Sequence, residues 1–143
     1  MIDWAEMDYF EQKEFDDPDY PGSGEHIDFS VVYALNALRE KMGCPIIVHN
    51  KFGLHGAVCM EHKGHCPDSA HYYPECSAVD FHFKTKTGRR EQAKAVIEHG
   101  FGRAGVYYGQ RWMDRELPIS FHVDMRETFQ LWKCWKGMYT YLL

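Results

Sequence analysis

Ser69-Ala70-His71 and Ser77-Ala78-Val79-Asp80 are answered, forty-two residues after the aspartate, by Ser120-Phe121-His122-Val123-Asp124. His71, Asp80 and His122 are of the side-chain types that can bind divalent metal. Two histidines and an aspartate close three sides of a tetrahedral zinc site and leave the fourth for water, which is the arrangement of a catalytic zinc. Asp80 and His122 also sit inside apolar, strand-like runs, Ala78-Val79-Asp80-Phe81 and Ile119-Ser120-Phe121-His122-Val123. An uncompensated polar group is costly to bury there, and a shared Zn2+ removes the cost for both. The chemistry expected is hydrolysis, because zinc lowers the pKa of its water to about 7 and polarises a carbonyl.

Hydrolysis also needs a base and a proton donor for the leaving group. In a strand, residues i and i+2 share a face, which puts Asp124 beside His122 and His82 beside Asp80. Glu116, in the segment Glu116-Leu117-Pro118, is a third candidate. Each has a plain alternative, as an ion pair or a core residue, and Asp124 can instead orient a ligand histidine. Tyr107, Tyr108 and Trp112 can wall a peptide groove or belong to the core, with Tyr108 expected to face substrate. Arg126 and Arg103 can take a substrate carboxylate or stand as surface charge.

A chain of 143 residues, 45% hydrophobic, fits one domain over residues 1–143 with a single core. The formal charge of −5 removes the basic footprint of a nucleic-acid binder, and the Lys84 to Arg90 run reads as a solvated turn and helix start. No apolar stretch reaches the roughly 20 residues that span a bilayer, and Met1-Ile2-Asp3-Trp4-Ala5-Glu6 does not read as a signal peptide. Synthesis in the cytoplasm is therefore expected. Five cysteines are an odd set, so free thiols are the default. Cys59, Cys66 and Cys76, interleaved with His62 and His65, can pair or hold a second zinc, although their spacings match no ordinary zinc knuckle.

These residues need elements to position them. Residues 1–24 read as an irregular arm whose Phe10 and Phe15 dock on the core. Asp28 caps a helix with Val31, Leu35, Leu38 and Met42 on one stripe, stopped by Gly43. Pro45 to His49 reads as a buried strand. From Lys51 to Glu75 no period is sustained, and a loop this long is usually functional. Ser77 to Phe83 predicts a strand, Ala93, Val96 and Ile97 a second helix ending at Gly100, and Ala104 to Tyr108 and Ile119 to Met125 further strands. The aromatic C-terminus adds one or two more. The fold expected is α+β, two main helices against a small, largely antiparallel sheet.

Ser69-Ala70-His71, Ala78-Val79-Asp80 and Phe121-His122-Val123-Asp124-Met125-Arg126 together resemble the zinc D,D-carboxypeptidase and phage endolysin peptidase family, whose metal site is shared with the hedgehog domains. Gly102-Arg103-Ala104-Gly105-Val106-Tyr107-Tyr108 resembles the glycine-rich strand before the family's second histidine. The resemblance covers nearly the whole chain and implies a hedgehog/D,D-peptidase-like fold, a zinc ion, and peptidoglycan stem peptides as substrate, with action at the cell wall for a phage lysin. Three departures stand out. Eight residues separate His71 from Asp80 where the family has six, so the loop must bulge. Asn50-Lys51-Phe52-Gly53 replaces a run bearing a substrate-facing arginine, and Lys51 is the expected substitute as a point charge. Ile119 and Ser120 occupy the positions of the family's base. A zinc-binding module without catalysis, serving in wall binding or virion structure, is the alternative.

Overall fold

In the computed structural model, which describes residues 1–62 and 64–142, the caps and apolar runs become elements close to those the pattern implies. Helix α1 (Phe29–Met42) starts where the Asp28 carboxylate accepts the Ser30 N–H at 2.8 Å and stops where Gly43, at φ 66°, donates its N–H to the Arg39 carbonyl. It buries Val31, Val32, Leu35 and Leu38, while Met42 is only half-buried. Helix α2 (Arg89–Glu98) buries Gln92 and Val96, and Ile97 of the expected stripe is 37% exposed. Among the described residues no helix is long and apolar enough to cross a membrane.

The strands are β1 (Ile46–Val48), β2 (Ala78–Phe83), β3 (Arg103–Tyr108), β4 (Arg111–Trp112), β5 (Arg115–Glu116), β6 (Ser120–Asp124), β7 (Gln130–Trp135) and β8 (Met138–Tyr141). Six of them form one sheet in the order β1-β2-β6-β3-β7-β8, and β4 with β5 makes a separate two-stranded ribbon. Among the described residues every strand pairing is antiparallel except the parallel one between β3 and β7. The molecule is therefore α+β, with a mostly antiparallel sheet.

Alternation along the strands divides the sheet into a core side and a chemistry side. Val79, Phe81, Phe121, Val123, Ala104 and Val106 join α1 and Val96 in one buried cluster. On the opposite face the register lines up Asp80, His122, Gly105, Trp132 and Tyr141 across five strands. The next row on that face is Ala78, Asp124, Arg103 and Gln130. Polar residues interrupt the apolar runs of β2 and β6 because only one face of each strand packs on the core.

Two irregular segments complete the frame. The first 24 residues carry three 3-10 turns (Trp4–Glu6, Gln12–Phe15, Ser23–His26) and bury Ile2, Phe10 and Phe15, the last two with ring centroids 5.3 Å apart. The segment between β1 and β2 is pinned by its backbone: Gly56 donates to the His49 carbonyl at 2.7 Å, and Asp80 donates to the Gly56 carbonyl at 2.6 Å. A side chain at Gly56 would place its Cβ 2.5 Å from the His49 oxygen and 3.0 Å from the Asp80 Cβ, so only glycine lets this segment run against β2. Between His71 and Asp80 the chain turns back on itself, closed by the Ser77 N–H on the Ala70 carbonyl at 2.8 Å.

Candidate metal centre

His71 reaches the sheet from the long loop, whereas Asp80 and His122 are cross-strand partners on β2 and β6. Three donor atoms converge. His71 Nε2 lies 3.2 Å from Asp80 Oδ1 and 3.3 Å from His122 Nδ1, and His122 Nδ1 lies 2.8 Å from Asp80 Oδ1. A tetrahedral ion with bonds of about 2.0–2.1 Å separates its ligands by about 3.3 Å, so this triangle is close to one face of such a site.

The other nitrogen of each histidine is turned outward. His71 Nδ1 lies 3.0 Å from the Ala57 carbonyl oxygen, and His122 Nε2 lies 2.9 Å from Asp124 Oδ2. Both outward nitrogens face acceptors, which places the proton there and turns a lone pair inward. Two lone pairs and a carboxylate oxygen then share one small volume. They repel unless a cation or a proton stands among them. Without metal, a proton does so: burial would lower the His122 pKa, but hydrogen bonds to Asp124 and Asp80 and their charges override it and raise it to about 9. Burial likewise opposes ionisation of Asp80, and the charges and hydrogen bonds of His71 and His122 outweigh it, holding the carboxyl well below the usual range. The donor set therefore fits a zinc ion bound in place of that proton.

The row across the sheet supports His122 from behind. Trp132 packs its indole against the His122 ring, centroids 5.3 Å apart, and donates its Nε1–H to the Tyr107 hydroxyl at 3.0 Å. A Cβ on Gly105 would lie 2.4 Å from that indole, so the glycine of the Arg103–Tyr108 strand makes room for it.

Around the triad runs a cleft of about 940 Å³, lined by His49, His65, Arg103, Arg111, Asp124 and Arg126 and by an aromatic wall of Tyr107, Trp132, Tyr139 and Tyr141. Asp124 reaches the site as an acceptor for His122 and also takes the Arg126 N–H at 3.1 Å. Both carboxylate oxygens are thus engaged, which makes it the group that orients His122. Arg126 lines the cleft with its guanidinium on Glu75, at 3.0 and 2.8 Å, and on the Asp68 carbonyl. It ties the end of β6 to the loop.

Five residues offered by the sequence lie elsewhere. His82 shares the face of Asp80 but turns to His49, with His49 Nε2 2.9 Å from His82 Nδ1, and Trp112 stacks on His49 and meets His82 edge-on. Burial, with smaller contributions from His49 and Arg115, lowers His82 to about 4. Trp112 is accordingly packing rather than groove wall. Glu116 is exposed on β5 with its carboxylate over Gly109, and it does not line the cleft. Lys51 is exposed outside the cleft. Tyr108 faces the core side of β3, against Trp135 at 5.7 Å and under the Arg89 guanidinium at 5.8 Å. Its neighbour Tyr107 is the tyrosine of that pair on the metal side.

Pattern reading set His65 among the cysteines, not beside the triad. Its ring stacks on His71, centroids 4.4 Å apart and planes 22° apart, and its donors lie within 4.8 Å of those of His71 and Asp80. Nδ1 is buried with no hydrogen-bond partner among the described residues, and burial, helped by the neighbouring histidines, lowers the pKa to about 4. The abundance of histidine in the aperiodic loop was the one signal for it. All five cysteines are thiols. Free thiols were the default; among the described residues no donor group contains Cys66 or Cys76, and Cys59 groups with Asp17 and His55. Burial raises Cys76 to about 12, which keeps its thiol protonated.

Searches with the chain against protein-family models, curated proteins and solved structures return no significant match.

Proposed function

We propose that the chain is a zinc-dependent peptidase that hydrolyses peptide bonds in peptidoglycan stem peptides, of the D,D-carboxypeptidase or endolysin type. The observation that carries this reading is the convergence of His71 Nε2, Asp80 Oδ1 and His122 Nδ1 within 3.3 Å of one another, with the outward nitrogens held by Ala57 and Asp124. The resemblance of the His71, Asp80 and His122 segments to zinc D,D-peptidases supports the substrate class. A zinc ion in this site supplies a Lewis acid for the scissile carbonyl and an activated water.

The chain's own residues have separable roles. Arg103 lines the cleft with its Nε on the Thr128 carbonyl at 2.9 Å, which leaves its terminal nitrogens as the groups suited to a substrate carboxylate. Tyr107, Trp132, Tyr139 and Tyr141 supply contact area along the peptide. His65, with its ring stacked on His71 and Nδ1 unpartnered among the described residues, is the second candidate base beside Asp124, whose oxygens accept from His122 and Arg126.

The test is hydrolysis of purified muropeptides by the full chain. Exhaustive chelation abolishes turnover and added zinc restores it, and His71→Ala, Asp80→Ala and His122→Ala each lose the ion while circular dichroism stays native. Turnover that survives chelation overturns the reading in favour of a thiol mechanism. The engagement of Asp124 and the presence of Ile119 and Ser120 at the family's base positions favour one second reading, a zinc-binding module without catalysis. One tightly bound zinc with no cleavage of any stem peptide would establish that instead.

A further inference from the structure

We propose that Asp17, His55 and Cys59 form a second, structural metal site, taking one zinc ion and clamping the N-terminal arm to the loop that carries His71. One donor atom from each residue lies within 4.8 Å of the others. Asp17 and Cys59 are buried, and the His55 side chain is 9% exposed.

His55 Nδ1 lies 3.2 Å from Asp17 Oδ1, a separation at which an N–H would normally donate. It does not: Nδ1 has no hydrogen-bond partner among the described residues. The other ring nitrogen lies 3.6 Å from Asp19 Oδ2, so carboxylates flank both ring nitrogens, and with the ring proton on Nε2 the poorly aligned Nδ1 offers its lone pair. A lone pair and a carboxylate oxygen thus face each other with a buried thiol beside them. A cation among them removes the repulsion and, by binding the sulfur as thiolate, gains a third ligand.

The donor types select the ion. Sulfur, imidazole nitrogen and carboxylate oxygen together suit borderline-soft zinc, whereas calcium and magnesium take oxygen ligands. Two backbone N–H groups fix the orientation of the Asp17 carboxylate, Asp19 on Oδ1 at 2.9 Å and Met60 on Oδ2 at 2.8 Å. The position is mechanical. Val58 donates to the Phe15 carbonyl at 3.2 Å and Cys59 to the His71 carbonyl at 3.1 Å, so the segment that bears His55 and Cys59 joins the arm to the shelf that holds His71.

Spectroscopy of the full chain separates this site from the triad, since the triad contains no sulfur. The wild type binds two equivalents of zinc. Loaded with cobalt(II), it shows a thiolate-to-metal charge-transfer band in the near ultraviolet. The band persists in His122→Ala, Cys66→Ser and Cys76→Ser and disappears in Cys59→Ser and His55→Gln, each of which retains one equivalent of zinc. If Cys59→Ser does not fold, His55→Gln and Asp17→Asn are read in its place. A wild type without the band, a band that survives Cys59→Ser, or one that survives both His55→Gln and Asp17→Asn overturns the proposal. A wild type that binds one equivalent and shows the band sinks the metal reading of the triad and leaves this site standing.

Discussion

Replacing Asp124 by asparagine separates a positioning role from a catalytic one. Asp124 now accepts two N–H groups, His122 Nε2–H on Oδ2 at 2.9 Å and the Arg126 N–H on Oδ1 at 3.1 Å. An amide has one acceptor oxygen and one donor NH2, so the asparagine satisfies only one of them. If its oxygen stays with His122, the NH2 meets the Arg126 N–H; if it turns to Arg126, the NH2 faces His122 and forces the proton onto Nδ1, the metal side. A hydrogen bond to a charged group contributes about 1.5–3 kcal/mol against about 0.5–1.5 for a neutral one, so the exchange removes about 1–2 kcal/mol from what holds His122. Zinc affinity is expected to fall about 10- to 100-fold, the range seen when partners of ligand histidines are removed. Competition with a chromophoric chelator measures this directly, and turnover at saturating zinc stays within about tenfold of wild type. An unchanged zinc affinity refutes the positioning argument. If turnover then drops by 10² or more, Asp124 is the base after all.

Four further outcomes follow from the same geometry. Zinc must displace the proton on His122, whose folded pKa is raised from 6.5 to about 9, so apparent affinity rises about tenfold per pH unit from pH 7 to 9 and then levels; a flat titration refutes the proton-for-metal exchange. The same raised pKa stabilises the metal-free fold fully below the unfolded value and is lost as pH rises through about 9, so the apo Tm falls across that window. Gly105→Ala drives a Cβ into the Trp132 indole, costing about 1–3 kcal/mol and lowering Tm by about 3–10 °C, and an unchanged melt contradicts the packing account. His65→Gln keeps the triad ion and lowers turnover about 10²-fold or more, whereas loss of the ion identifies His65 as a fourth ligand instead.

The parts of the site that lie on strands were legible because period two leaves a mark in sequence. Asp80 and His122 stand out as polar residues in apolar runs, and Asp124 follows His122 on the same face by parity alone. Parity also contained a signal against Tyr108: Arg103 and Tyr108 differ by five positions and cannot both face the cleft from one straight strand, whereas Arg103 and Tyr107 do. The α1 helix was legible because both of its caps are side-chain or glycine chemistry written at fixed offsets. His65, and the meeting of Asp17 with His55 and Cys59, depend on how an aperiodic loop folds back on the arm, which no local pattern encodes. Lys51 and Glu116 were placed by analogy and by reach, and turn geometry that the sequence does not spell out carries both outside the cleft.

The register row from Asp80 to Tyr141 has a consequence for how such a chain tolerates insertions and deletions. One residue added within β6 ahead of His122 would rotate the histidine to the helix side and bring Phe121 to the cleft, undoing site and core together. Two residues added there would restore the faces and only shift the partner. The turn from His71 to Ser77, ahead of β2, obeys no such parity, because His71 is held by the Ala57 carbonyl rather than by a place in the sheet. Length changes in this architecture should therefore be free in that turn, paired within the strands, and absent as single steps.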